Sequence, residues 1–289
     1  MDAAGRSTNA EVVRARAATA HTPATAGRWP DVHGRLVTIF VACLWMVGVA
    51  MPAAQSPRPR VAAAANLQVA LTEIADRFAR DRGVTVDLVF GASGTLTRQI
   101  RDGAPFDVFL SADEAFPAQL GAAGLTRDAG VVYASGRLVL FAPHESPLTV
   151  DARLEGLAAL AARDRTWRLA IANPDVAPYG KAAEAVLRKR GLWEAVQPRL
   201  VRGDTIGQAA QFVVSGNAAG GLLAYSLVLA PGVAGRGTYA VIDAADHPPL
   251  WQRMVLLKRA SPAAAQFYAY LQGEDARALF RRHGYGAPQ

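Results

Sequence analysis

Three stretches of the chain join small or polar residues to the opening of a helix, and each offers hydrogen-bond donors without charge. They are Ala63-Ala64-Ala65-Asn66-Leu67, Phe90-Gly91-Ala92-Ser93-Gly94-Thr95-Leu96 and Gly203-Asp204-Thr205-Ile206-Gly207-Gln208. Each reads as a strand, a tight turn and a helix start. The first N–H groups of a helix find no acceptor inside it, and that end carries partial positive charge. Such a corner suits an anion. A plain capped helix uses the same residue types, so one stretch alone leaves the choice open. A fourth stretch, Ala172-Asn173-Pro174-Asp175-Val176-Ala177-Pro178-Tyr179-Gly180, has two prolines that shape a loop ahead of a helix. The Tyr179 hydroxyl either enters a cleft there or packs within the loop.

The candidate groups are the side chains of Asn66, Ser93 and Tyr179 and the backbone N–H groups near Ala65, Ser93 and Ile206. None is charged. A dehydrated ion held only by uncharged donors is best a permanent tetrahedral dianion, because a protonated phosphate also needs an acceptor for its hydrogen. Catalysis finds little support. Ser93 does not sit in a G-x-S-x-G elbow, and no argument brings His144, His247 or His283 near it as a base. The glycine spacing is neither G-x-G-x-x-G nor a P-loop, and no metal-ligand spacing occurs. Asp107 reads as a cap or a structural pair, since a carboxylate repels an anion.

The elements that must position these groups alternate. Strand patterns cover 61–65, 84–90, 106–111, 137–142, 167–171, 200–202, 221–225, 239–242 and 253–257. Helical patterns cover 67–82, 95–103, 114–123, 154–165, 181–190, about 205–215, and a last region through 263–282, punctuated by Gly273. Strand–helix–strand succession predicts parallel α/β sheets, whose ligands sit beyond the C-terminal ends of strands. The theme occurs at least twice in each half of the chain, which predicts two lobes.

The 289 residues carry a net charge of +7, with 51% hydrophobic and 8% aromatic residues. Arginines are scattered among acids, with Arg188-Lys189-Arg190 and Arg281-Arg282 the strongest clusters, so no basic stripe for nucleic acid emerges. Residues 1–56 read as a leader and signal peptide: Arg35, an apolar run Leu36 to Ala50, then small residues, with cleavage expected between Ala54 and Ser56. The apolar run is short for a membrane span. Cys43, the single cysteine, falls inside it, which leaves a cysteine-free mature chain suited to an oxidising compartment.

Together with Gly103-Ala104-Pro105-Phe106-Asp107-Val108-Phe109-Leu110-Ser111-Ala112-Asp113, the four stretches resemble the periplasmic molybdate-binding proteins of ABC importers. The resemblance runs from about Arg60 to Tyr285, in order and at normal spacing. It implies a periplasmic-binding-protein-like fold of type II, two α/β lobes with a ligand cleft between them. It implies no enzyme and no cofactor, but a molybdate or tungstate ligand bound through its oxygens, with no direct metal coordination. The implied ligand-binding residues are Ala65, Asn66, Ser93, Tyr179 and Ile206. In a second subgroup the tyrosine comes from a later strand, near Tyr225, which stands one step off register, so Tyr179 is favoured. The implied partners are an inner-membrane permease and its cytoplasmic ATPase, with the protein itself a periplasmic monomer. Another oxyanion, such as sulfate or a phosphonate, is the alternative ligand. The expected division is 57–142 for the first part of lobe 1, 143–238 for lobe 2, and 239–289 for the return to lobe 1.

Overall fold

The computed structural model describes residues 58–288, so the expected leader and signal peptide lie outside the described residues. The first lobe is built on β1 (Arg60–Ala64), α1 (Gln68–Arg82), β2 (Asp87–Gly91), α2 (Ser93–Arg101), β3 (Val108–Leu110), α3 (Ala115–Ala122) and β4 (Val131–Ser135). The chain then enters the second lobe with β5 (Leu138–Pro143), α4 (Glu155–Arg163), β6 (Leu169–Ala172), α5 (Pro178–Lys189), α6 (Trp193–Val196), β7 (Leu200–Gly203), α7 (Ile206–Val214), β8 (Gly220–Ala224), α8 (Tyr225–Val228) and β9 (Gly237–Val241). It returns with β10 (Trp251–Leu256), α9 (Pro262–Tyr270) and α10 (Glu274–Arg282).

Each lobe holds a five-stranded sheet, ordered β2-β1-β3-β10-β4 in the first and β7-β6-β8-β5-β9 in the second. In the first, β1 pairs in parallel with β2 and β3, while β10 joins antiparallel. In the second, β6 pairs in parallel with β7 and β8, while β5 joins antiparallel to β8 and β9. Helices cover the sheets by ordinary amphipathic spacing. Helix α1 buries Ala70, Leu71, Ile74, Ala75 and Phe78, and the Phe78 ring meets Phe267 and Tyr270 of α9 edge-on at 5.0 and 5.2 Å.

Three sequence expectations need correction. Strand β4 was absent from the sequence pattern. Val131-Val132-Tyr133-Ala134-Ser135 has no polar alternation: the neighbours Tyr133 and Ala134 are both buried, and the strand carries a bulge opposite Gln252–Arg253. Strand β8 ends at Ala224, and Tyr225 opens a short helix instead of closing the strand. The final helical region is interrupted at Gly273, as its sequence suggests, into two helices, α9 and α10. The boundaries expected at 142/143 and 238/239 cut through β5 and β9. Both strands pair within the second sheet, so the chain crosses between lobes at Gly136–Arg137 and again between β9 and β10.

Asp107 is structural, as its bonding shows. Its two carboxylate oxygens accept from the Arg60 and Ser261 backbone N–H groups at 2.8 and 2.9 Å, tying β1 to the loop before α9.

The C-terminal helix is docked on α1 through Glu73, which accepts from Arg282 and lies 2.8 Å from His283 Nε2. The Arg282 hydrogen bond, then that of His283, lowers the Glu73 carboxyl from 4.5 to about 2. A carboxyl depressed on folding stabilises the fold above its unfolded value. That contribution is lost as pH falls from about 4.5 through about 2. Both side chains are partly exposed, so the effect is under about 1 kcal/mol. Glu73→Gln should lower the thermal midpoint slightly at pH 7, and the gap to wild type should close as pH approaches 2. A gap that persists unchanged to pH 2 would contradict the ion-pair origin.

Candidate functional site

The ends of β1, β2, β6 and β7 each lead, at once or through a short loop, to a helix start, and these four corners meet. The 3₁₀ turn Ala65–Leu67 follows β1, and α2 follows β2 with Ser93 as its first residue. Helix α5 follows β6 after a loop, opening Pro178-Tyr179, and α7 follows β7, opening at Ile206. Proline suits the first helical position because it has no N–H to leave unpaired. Thr205 caps α7, its Oγ1 accepting from Gln208 N–H at 3.1 Å. The N–H groups of Ser93 and Ile206 have no acceptor within their own helices.

Between these corners lies a small cavity of about 10 Å³, lined by Ala65, Asn66, Ser93, Tyr179 and Ile206 with Ala64, Gly91, Ala92, Ala112, Ala177 and Pro178. The structure therefore brings all five sequence-expected residues to one place. No charged side chain lines the cavity among the described residues. It is closed: Ser93 and Tyr179 are each 1% exposed, Asn66 2% and Ile206 3%. The lobes touch beside it, where Gly94 N–H donates to the Val176 carbonyl oxygen at 2.9 Å.

Tyr225 is elsewhere. It does not line the cavity, and its hydroxyl lies 3.1 Å from that of Tyr239, an exposed residue on β9.

The hydrogens decide what this cavity can hold. Ser93 Oγ accepts from Ala112 N–H at 3.1 Å, which leaves its own hydrogen to give. Tyr179 Oη accepts from Gln252 Nε2 at 3.3 Å, which likewise leaves its hydrogen free. Burial, reinforced by Tyr285 nearby, pushes the Tyr179 hydroxyl well above its usual range, so it stays protonated and remains a donor.

Asn66 departs from expectation. Its amide hydrogens are both taken, by Gln252 Oε1 at 3.1 Å and Tyr285 Oη at 3.0 Å. Its Oδ1 is a buried atom without a partner among the described residues. Its backbone carbonyl oxygen accepts from Tyr285 Oη at 2.7 Å and from Ser226 Oγ of the second lobe at 3.0 Å. The side chain read from sequence as a donor is instead anchored, while the backbone N–H has no acceptor within its short 3₁₀ turn.

Two residues of this site escaped sequence reasoning. Gln252, fully buried, holds Asn66 and Tyr179 together, yet a glutamine between Trp251 and Arg253 looks like a surface residue. Gly136 lies at the lobe crossing, where a Cβ would come within 2.3 Å of Tyr179 Oη and 2.7 Å of Gln252 Nε2. Gly136→Ala should therefore push Tyr179 aside and cost about 1–3 kcal/mol by overpacking. A thermal midpoint equal to wild type would show that the site yields freely.

Two lobes hinged by two crossings and closed on an uncharged cavity define a solute-binding protein. Residues 59–286 match the family described as bacterial extracellular solute-binding protein. The chain is 38% identical over 242 residues to the molybdate-binding protein ModA of Azotobacter vinelandii, across 83% of this chain and 94% of that one. It is 38% identical over 243 residues to ModA of Rhodobacter capsulatus, across 83% and 92%. The solved periplasmic molybdate-binding protein of Azotobacter vinelandii superposes with a TM-score of 0.72 at 33% identity, covering 80% of this chain and all of that one. This chain belongs to the family of periplasmic molybdate-binding proteins of ABC importers, which are non-catalytic transport components.

Proposed function

We propose that this protein captures molybdate, and also tungstate, in its interlobe cavity and delivers the ion to an ABC permease with a cytoplasmic ATPase. One observation carries the reading: three α-helices and a 3₁₀ turn begin at a closed cavity that offers uncharged hydrogens. Each α-helix start contributes roughly half an elementary positive charge, which favours a dianion without any fixed cation. In this reading Ser93 and Tyr179 donate through their hydroxyls. Ala65, Asn66 and Ile206 donate through backbone N–H groups. Each bond to the charged ion is worth about 1.5–3 kcal/mol. The protein is exported by a signal peptide within residues 1–56 and works as a monomer in the periplasm, releasing the ion when the lobes part.

Asn66 Oδ1 favours a second reading. An unpaired buried acceptor suits an anion that brings a hydrogen, such as hydrogen phosphate or a phosphonate. Calorimetric titration with molybdate, tungstate, sulfate and phosphate separates the two. Saturable binding of the first two alone supports the proposal. Silence toward both, or a preference for phosphate, sinks it.

A further inference from the structure

We propose that Gln252 is a positioning residue that ties the two lobes together and fixes the direction of the Tyr179 hydroxyl hydrogen. This rests on the oxyanion reading for its consequence, but its geometry stands on its own.

Gln252 lies on β10 of the first lobe, opposite the bulge of β4, where Gln252 pairs with Ala134 and Arg253 with Val132. Tyr133 is the residue passed over, and its Oη lies 2.9 Å from Gln252 Oε1 and 3.1 Å from the Ser111 carbonyl oxygen, two acceptors for its single hydrogen. Asn66 Nδ2 donates to the same Oε1 at 3.1 Å. With donors gathered on its oxygen, the amide must aim Nε2 the other way, and there it meets Tyr179 Oη of the second lobe. Gln252 and Tyr179 are 0% and 1% exposed, so water does not compete for these bonds.

The consequence is directional. A tyrosine hydroxyl has one hydrogen and can accept or donate. Because Gln252 donates to it, the hydroxyl cannot spend its hydrogen on Gln252 and keeps it for the cavity. If the amide were reversed, Oε1 would face Tyr179 and withdraw that hydrogen. The same contact forms only when the lobes are together, so Gln252 links closure to a correctly aimed donor.

The test is a double-mutant cycle with Gln252→Met, close in volume but unable to donate, and Tyr179→Phe, read by calorimetric titration with molybdate. Gln252→Met alone should weaken binding roughly tenfold, the worth of one oriented bond. In the Tyr179→Phe background it should add less than about twofold, because no hydroxyl remains to orient. Equal losses in both backgrounds would mean that Gln252 acts by packing alone, and would overturn the proposal. Gln252→Glu supplies a second arm. Its protonated form can still donate to Tyr179 and its ionised form only accepts, so affinity should fall as pH rises from 5 to 8 while wild type stays level. A level Gln252→Glu profile would also overturn it. With molybdate added, a nuclear Overhauser contact from the Gln252 amide hydrogens to the Tyr179 ring is expected. Its absence rejects the tie between lobes, whereas a wild type that shows the contact but ignores molybdate and tungstate rejects the oxyanion reading.

Discussion

Ser93→Ala is expected to raise the Kd for molybdate by roughly ten- to a hundredfold, the loss of one charge-assisted hydrogen bond of about 1.5–3 kcal/mol. The loss is large because nothing can replace the hydroxyl. Ser93 is 1% exposed, so a water filling the space of one oxygen would itself have to be buried and oriented. The substitution also touches the fold. Ser93 Oγ accepts from Ala112 N–H, and alanine leaves that donor without its acceptor, at a cost of about 1 kcal/mol in stability. Binding and unfolding should therefore be measured together, by titration and by a denaturant midpoint. A Kd unchanged while the midpoint falls would assign Ser93 a structural role only.

Tyr179→Phe should weaken binding by a similar factor, and by far more than Tyr225→Phe. The Tyr179 ring can stay in place as phenylalanine, so the change isolates the hydroxyl. That hydroxyl has a free hydrogen in an enclosed cavity, and its removal also strands Gln252 Nε2. Tyr225 instead faces Tyr239 near the surface, and its substitution should alter Kd by no more than about twofold. The comparison is informative because both tyrosines stand near helix starts and only one lines the cavity. A larger effect at Tyr225 would mean that the ion sits elsewhere.

Where the sequence alone succeeded, the signals were local. The α1 stripe at Ala70, Leu71, Ile74 and Phe78 repeats within one helix, and the turn after β2 is written in five consecutive residues, Gly91 to Thr95. Those patterns disclosed the helix starts and the neutral character of the donors. They misplaced the lobe boundaries because β5 and β9 are ordinary strands whose partners lie far along the chain.

From its residues in order, then, the chain determined that it alternates strands and helices and that uncharged donors stand at the openings of several helices. Helix periodicity and capping act over a few positions, so they can be read in a line. The tertiary structure decided that Ala65, Asn66, Ser93, Tyr179 and Ile206 share one closed cavity, and which of their hydrogens remain free. It also decided that the Asn66 amide is held by Gln252, 186 positions away. A hydrogen bond across that distance is set by strand pairing and lobe closure, and neither leaves a local periodicity to read.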